Sequence, residues 1–346
     1  MKKAIVIGAY GSQTSQLDGQ TVKTRSVYNL LKNRFVGKVA KTDTLEIKRK
    51  PWLLLNMVYQ LLTCNYIILI PSVRSLTFLL PALFYLSKLL QFDIICICIG
   101  GKQEEFFNGT FTGKPHYWHM KLCRQIKAFL PEMNAVNEGL KRNCLFRNTA
   151  VFPNFRRYED VIIPCNHYRD LKIVFMARIR KDKGYPAVFM LADYIQQENL
   201  SATITFFGPI APECDADFNA LLSSHDQVTS YGGILNPKDI QKTLSQYDVM
   251  VLPTTHYTEG FPGSVLDAYI AGIPVVVTEW EYAREFVDDG ETGFVVPFKN
   301  SQQQLNESIE KLCLDRSLLD SMKSKAIKKR EKYSEDEAWH ILSRYL

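Results

Sequence analysis

Residues 248–278 read Asp248-Val-Met-Val-Leu-Pro-Thr-Thr-His-Tyr-Thr-Glu259-Gly260-Phe261-Pro262-Gly263-Ser264-Val-Leu-Asp267-Ala-Tyr-Ile-Ala-Gly272-Ile-Pro274-Val-Val-Val-Thr278. An apolar run at 249–252 leads into a polar, glycine-rich loop at 254–263. A helical pattern over 264–271 is stopped by Gly272 and Pro274, and a second apolar run fills 275–277. That order predicts a strand–loop–helix–strand unit. The strands are short, continuous and β-branched, as parallel strands covered on both faces are.

The loop places one carboxylate, Glu259, just before a helix whose first turn holds Pro262, Gly263 and Ser264. A helix start offers unpaired N–H groups and a positive dipole end, both of which attract phosphate. Gly263 lets a ligand approach the backbone closely. Asp267 lies four residues on, on the same helix face and about 6 Å further along the axis. That is a workable separation between a diphosphate and a ribose. The other reading of these residues is a buried crossover helix with incidental acids.

Outward from this unit, the pattern repeats on both sides. Ala4–Ile7 is the first buried strand, followed by a loop from Gly8 and a helix over 21–32. The loop lacks the G-x-G-x-x-G spacing and is too long for a dinucleotide turn. It suits a flexible loop closing on a phosphate-bearing ligand, and Gly19 within it is a candidate contact to that ligand. Strands are expected at 39–42, 66–70, 93–99 and 133–136, and Val151–Phe155 ends this half. Helices are expected at 52–62, 75–90, 119–129 and 137–143, with a long polar–aromatic loop at 102–118. Residues 156–170 read as a linker. The alternation then restarts with a strand at 171–176, a basic loop from Arg178 to Gly184, and a helix at 185–197. Two α/β domains follow, 1–155 and 171–332, with a final helix at 333–346 striped by Trp339, Ile341, Leu342 and Leu346.

Composition narrows the partners. Residues 1–150 hold 21 Lys plus Arg against 8 Asp plus Glu, whereas the rest holds 21 against 28. A basic first half points to an anionic partner, and the stacking signatures of RNA-binding modules are absent. Lys48-Arg49-Lys50 stands directly before Pro51-Trp52-Leu53-Leu54-Leu55, the combination that interfacial anchoring uses. A solvated turn leading into a core helix fits the same residues. The apolar stretch 76–90 contains Pro81 and Lys88 and is too short to span a bilayer. The eight cysteines are scattered, without a C-x-x-C pair, as in a reduced cytoplasmic protein. Cys96 and Cys98 alternate within a strand and should share one buried face.

Three features of the second half now combine. Arg178 and Lys183 follow a strand, with Gly184 next. Glu259 and Asp267 stand eight apart around a helix start. Gly290-Glu-Thr-Gly293-Phe-Val-Val-Pro297 follows a further crossover. This resembles the retaining glycosyltransferases of the GT-B fold, family 4. Residues 18–25, Asp18-Gly19-Gln20-Thr21-Val22-Lys23-Thr24-Arg25, look like bacterial surface-polysaccharide members. The resemblance implies two Rossmann-like domains facing a cleft, with the C-terminal helix packing back on the N-terminal domain. It implies a UDP- or GDP-linked sugar as co-substrate, with no other cofactor and no metal.

In that scheme Arg178 and Lys183 neutralise the diphosphate, and Glu259 contacts the donor sugar or supports the positive transition state. Phe261, Pro262-Gly263 and Ser264 meet sugar and phosphate through their amides, Pro262 itself having no N–H. Asp267 takes the place of a ribose-binding glutamate. It is one methylene shorter than that glutamate. A histidine that many members carry after the strand at 93–99 is also missing: this chain has Ile99-Gly100-Gly101, with His116 and His119 nearest, and His256 beside Glu259. Gly100, Gly101, Gln103 and Glu104 would shape the acceptor side. The acceptor implied is a polyprenyl-diphosphate-linked saccharide at an anionic membrane surface. The location implied is the cytoplasm, peripheral on the inner face of the cell membrane, without nucleic acid. The alternative is a non-catalytic GT-B-fold component of a membrane-associated synthesis complex. A sugar-nucleotide epimerase would need carboxylates from the first half, where Asp18, Glu104 and Glu105 are the candidates.

Overall fold

The computed structural model describes residues 1–11, 19–110, 113–114, 116–160 and 170–346. Asp18 and most of the expected linker lie outside them. The chain divides into two compact units: Met1–Phe155 with Glu335–Leu346, and Arg156–Ser334.

In unit 1 the chain runs β1 (Lys3–Gly8), α1 (Gly19–Arg34), β2 (Lys38–Asp43), α2 (Thr44–Arg49), α3 (Leu53–Leu61), β3 (Tyr66–Ile70) and α4 (Val73–Leu90). It continues through β4 (Asp93–Ile97), α5 (Gln103–Asn108), α6 (Tyr117–Cys123), β5 (Ala128–Leu130) and α7 (Asn134–Cys144). The five strands are parallel, in the order β2-β1-β3-β4-β5. Ala4–Ile7 and Ile67–Ile70 are fully buried, which explains their unbroken apolar runs. Right-handed crossovers put α1, which links β1 to β2, on one face of the sheet. They put α3, α4 and α6, which step towards β5, on the other. A last helix in sequence, Glu335–Ser343, joins the α1 side. Its Ala338 and Leu342 share a core with Val27, Leu30 and Leu31. Lys23 of α1 is buried and donates to the Phe152 and Pro153 carbonyls, which fastens α1 to the end of this unit.

Two expectations shift here. The strand lies at Ala128–Leu130, not at 133–136, and Met133 instead precedes α7. Val136, Gly139, Leu140 and Cys144 are buried at helical spacing, so their apolar pattern belongs to a helix face. The stretch 102–118 is not one loop, since α5 lies within it; two phenylalanines, Phe106 and Phe107, are buried there. The Cys96 and Cys98 sulfurs do share a face, 3.7 Å apart.

Unit 2 opens with β6 (Leu171–Met176), a short 3-10 turn at Lys181–Lys183, α8 (Tyr185–Gln197), β7 (Ala202–Phe207), α9 (Asp215–Ser224) and β8 (Thr229–Tyr231). Then come α10 (Ile240–Leu244), β9 (Val249–Leu252), α11 (Gly263–Ile270), β10 (Val275–Thr278), α12 (Ala283–Phe286), β11 (Gly293–Val296), α13 (Gln302–Leu314) and α14 (Arg316–Arg330). Its six-stranded parallel sheet has the order β11-β10-β9-β6-β7-β8. The chain leaves β6 towards β8, then returns to β9 and leaves towards β11. The loops after β6 and β9 therefore diverge at a topological switch point, where such sheets bind ligands. Asp248, just before β9, is structural: it takes Lys323 Nζ at 2.6 Å and the Lys172 amide at 2.8 Å.

Candidate functional site

The loops after β6 and β9 carry the predicted charges. Arg178 leaves the end of β6 exposed and makes no hydrogen bond or ion pair among the described residues. Arg180 is occupied by Asp182, at 3.0 Å. Gly184 ends the 3-10 turn at φ +88°, and a Cβ there would stand 2.0 Å from the Pro253 carbonyl oxygen. Only glycine lets the two loops pass this closely. The Asp182 carbonyl then accepts from the Thr254 hydroxyl at 3.0 Å and the Thr255 amide at 2.9 Å.

That stitching brings Lys183 to Glu259. Lys183 Nζ donates to both carboxylate oxygens, at 2.7 and 2.6 Å. Glu259 is turned back by its own amide, which donates to the His256 carbonyl at 3.2 Å. His256 is exposed, and its backbone, rather than its ring, shapes this turn. Beyond it Phe261 stacks on Phe286 at 4.0 Å between centroids and lies 4.9 Å from Tyr333. The stacking fixes the entry to α11. Pro262 precedes the helix with extended backbone, and Gly263 and Ser264, its first two residues, are partly exposed. The first-turn amides are thus open to an anion from outside.

Asp267 sits one turn in, on the expected face, 8% exposed. It is already engaged: Arg156 Nε donates to Oδ1 at 2.8 Å. Gly19, the remaining predicted contact, belongs to unit 1. It is the first residue of α1, after β1, at that sheet's own switch point between β1 and β3. Among the acceptor-side candidates, the Gly100 amide donates to Glu132 at 3.3 Å and Gln103 Nε2 to the Ile99 carbonyl at 2.9 Å. Glu104 takes Asn143 of α7.

Two residues of the site escaped the sequence reading. Thr254 is buried and holds Asp182; its only signal is its place at the end of an apolar run. Arg156 was hidden in what reads as a linker. Among the described residues, five cysteine thiols are shifted away from reactivity. Burial raises the Cys98 and Cys123 thiols well above their ordinary value, and raises those of Cys64, Cys144 and Cys313 to about 11.

Comparison with known proteins points the same way. The family model for glycosyl transferases group 1 matches residues 166–329. A capsular polysaccharide biosynthesis glycosyltransferase of Staphylococcus aureus, CapM, is 29% identical over 174 residues, covering 49% of this chain and 44% of that protein. The N,N'-diacetylbacillosaminyl-diphospho-undecaprenol alpha-1,3-N-acetylgalactosaminyltransferase of Campylobacter jejuni is 27% identical over 234 residues, covering 63% and 58%. The chain spans about half the length of the curated relatives it matches. Anabaena HepE, solved in complex with UDP, superposes with a TM-score of 0.75 at 14% identity over 99% of both chains. The lipopolysaccharide outer core galactosyltransferase WaaB superposes with a TM-score of 0.68 at 13% identity over 100% and 99%. The fold is GT-B: two Rossmann-like α/β units, each with a parallel sheet.

Proposed function

We propose that this chain is a retaining glycosyltransferase of the family 4 type. It moves a sugar from a UDP- or GDP-linked donor to a lipid-linked saccharide in bacterial surface-polysaccharide assembly. The observation that carries the reading is the Lys183–Glu259 contact, made across the switch point between β6 and β9, with Arg178 exposed at the same strand end. As the bond from the sugar's anomeric carbon to the diphosphate oxygen breaks, negative charge grows on the leaving group. Arg178, Lys183 and the α11 amides stabilise that charge, so the reading needs no metal. Glu259 faces the positive charge growing on the sugar. The acceptor hydroxyl attacks from the face the diphosphate leaves, and its proton passes to a departing phosphate oxygen. Retention follows from that shared face.

Unit 1 supports the proposed acceptor and location. From Ile47 to Phe92 there are five Lys or Arg and no Asp or Glu. Trp52, Leu55, Tyr59, Phe78, Leu89 and Trp118 are exposed in or beside the helices of one sheet face. Apolar and aromatic side chains beside a stretch of net positive charge suit an anionic bilayer surface, and this supports a peripheral site on the inner face of the membrane. Among the described residues no helix is long and apolar enough to cross a membrane.

The test is a panel of nucleotide sugars with polyprenyl-diphosphate saccharides, alongside co-sedimentation with vesicles containing anionic lipid. Transfer by the wild type that falls on Lys183→Ala supports the reading. No donor bound or turned over sinks it. A second reading, a non-catalytic member of a synthesis complex, is favoured by Arg156 occupying Asp267. Thermal shift separates the two, because a lost site gains no stability from UDP or GDP.

A further inference from the structure

We infer that Thr254 is a second holder of Glu259. Its hydroxyl turns from the Asp182 carbonyl to the Glu259 carboxylate when the donor diphosphate draws Lys183 away. Thr254 is fully buried and meets no substrate, so it is a positioning residue. The inference rests on the reading that unit 2 binds a nucleotide diphosphate through Lys183, and deepens it.

Two demands fall on Lys183. Its ammonium bonds both Glu259 oxygens, and in the proposed reaction the same ammonium stabilises the leaving diphosphate. Its flexible stem lets it shift between them. Each step towards a phosphate loosens its hold on Glu259, whose side chain is only 16% exposed. A carboxylate that deep needs another donor to keep its place. It must also stay in place, because a misplaced charge no longer faces the positive charge growing on the sugar. The Thr254 hydroxyl stands 3.5 Å from Glu259 Oε2, which is just too far for a full bond while Lys183 fills the carboxylate.

The hydroxyl can change acceptor without stranding any group. It has one hydrogen to donate and lone pairs to accept with. With Lys183 on Glu259, that hydrogen goes to the Asp182 carbonyl at 3.0 Å. The same carbonyl receives the Thr255 amide at 2.9 Å, so it stays bonded when the hydrogen turns away. The His256 amide donates to Thr254 Oγ1 at 3.2 Å, and that bond is kept in both states. Only the O–H bond has to rotate, with a small approach of the carboxylate. The backbone that carries the hydroxyl is fixed on both sides. The Thr254 amide donates to the Leu252 carbonyl at 2.9 Å, and its carbonyl accepts from the Thr278 hydroxyl at 2.5 Å. The ends of β9 and β10 therefore hold Thr254 still while Lys183 and Glu259 rearrange.

Scanning calorimetry, titration with UDP and GDP, and initial-rate sugar transfer on the full chain test this. Thr254→Val keeps the shape and removes the hydroxyl, whereas Thr254→Ser keeps the hydroxyl. Lys183→Ala mimics the withdrawn amine. In that background Thr254→Val should lower Tm by about 2–4 °C more than it does in the wild type. Thr254→Ser should show no such excess, and adding Glu259→Gln should remove most of it, because the stranded charge is gone. Thr254→Val alone should lower kcat about 10-fold and leave UDP or GDP affinity within about two-fold of the wild type. Lys183→Ala should lose affinity as well, and Thr254→Ser should restore kcat. The inference is overturned if the Tm losses of Lys183→Ala and Thr254→Val simply add. It is equally overturned if Thr254→Val keeps kcat within about two-fold while Lys183→Ala loses it, and the reading of Lys183 then stands. Should the double variant fail to fold, kcat and affinity of Thr254→Val decide. If the wild type binds neither nucleotide, the underlying function falls and the turn of the hydroxyl with it.

Discussion

Replacing Lys183 by alanine separates two roles that its pair with Glu259 combines. The side chains are 24% and 16% exposed, and both carboxylate oxygens are bonded. Without the amine, Glu259 is a mostly buried carboxylate with the Thr254 hydroxyl at 3.5 Å. Deleting one partner of a fully buried pair costs about 3–5 kcal/mol, and of an exposed pair about 0–1 kcal/mol. This pair falls between, at about 2 kcal/mol. For a domain of this size that lowers Tm by about 4–8 °C. Adding Glu259→Gln removes the stranded charge, so Tm should return to within about 2 °C of the wild type. Catalysis should not return with it. Loss of a charge-assisted bond to the leaving diphosphate costs about 1.5–3 kcal/mol, or about 10–100-fold in kcat/KM. The assay is initial-rate sugar transfer from the accepted donor, run beside scanning calorimetry on both variants. A Lys183→Ala enzyme within two-fold of wild-type kcat/KM would refute the reasoning, because the pair would then be a structural brace alone.

Arg178→Ala supplies the contrast: an exposed side chain without a partner among the described residues should leave Tm unchanged while kcat/KM falls about 10–100-fold. Lys323→Met should do the opposite. Its amine is bonded to Asp248 with side chains only 6% and 4% exposed, so stability should fall by about 3–5 kcal/mol in denaturant titration, with activity per folded molecule kept. Unit 1 should lose stability in acid. Burial first, and His119 second, hold the His116 imidazole below its ordinary value, so the folded state binds fewer protons there than the unfolded state. Its contribution is fully present above 6.5, the ordinary value, and is lost as pH falls through the lower, folded value. Melting curves across that window should flatten in His116→Gln.

The parts that the sequence revealed were those decided by local pattern. Unbroken β-branched runs marked Ala4–Ile7, Val249–Leu252 and Val275–Thr278, because parallel strands are buried on both faces. Lys183 and Glu259 were legible although 76 residues apart, since each follows directly on a clear strand. Strand order was not legible. That β6 neighbours β9, and so opens the crevice, follows from long-range pairing that periodicity does not encode. The error at 128–144 has the same root: a three-residue strand leaves too short a run to outweigh the helical spacing that follows. Arg156 lay beyond reach for a further reason. Its partner is 111 residues away, and nothing in Asn154-Phe155-Arg156-Arg157 distinguishes a buried ion pair from a solvated turn.

The short acid at 267 and the arginine at 156 form one feature. Taken alone, Asp267 is a glutamate that has lost a methylene and with it reach towards a ribose. In the folded unit Arg156 Nε bonds Asp267 Oδ1 at 2.8 Å, and its Nη2 lies 3.3 Å from where a Cβ on Gly263 would stand. A side chain at 263 would therefore displace the guanidinium by a few tenths of an ångström. Removing the arginine takes from Asp267, only 8% exposed, the 2.8 Å bond to Arg156 Nε. Replacing Asp267 by Asn in that background should then recover stability, which the melting temperatures of the single and double variants check.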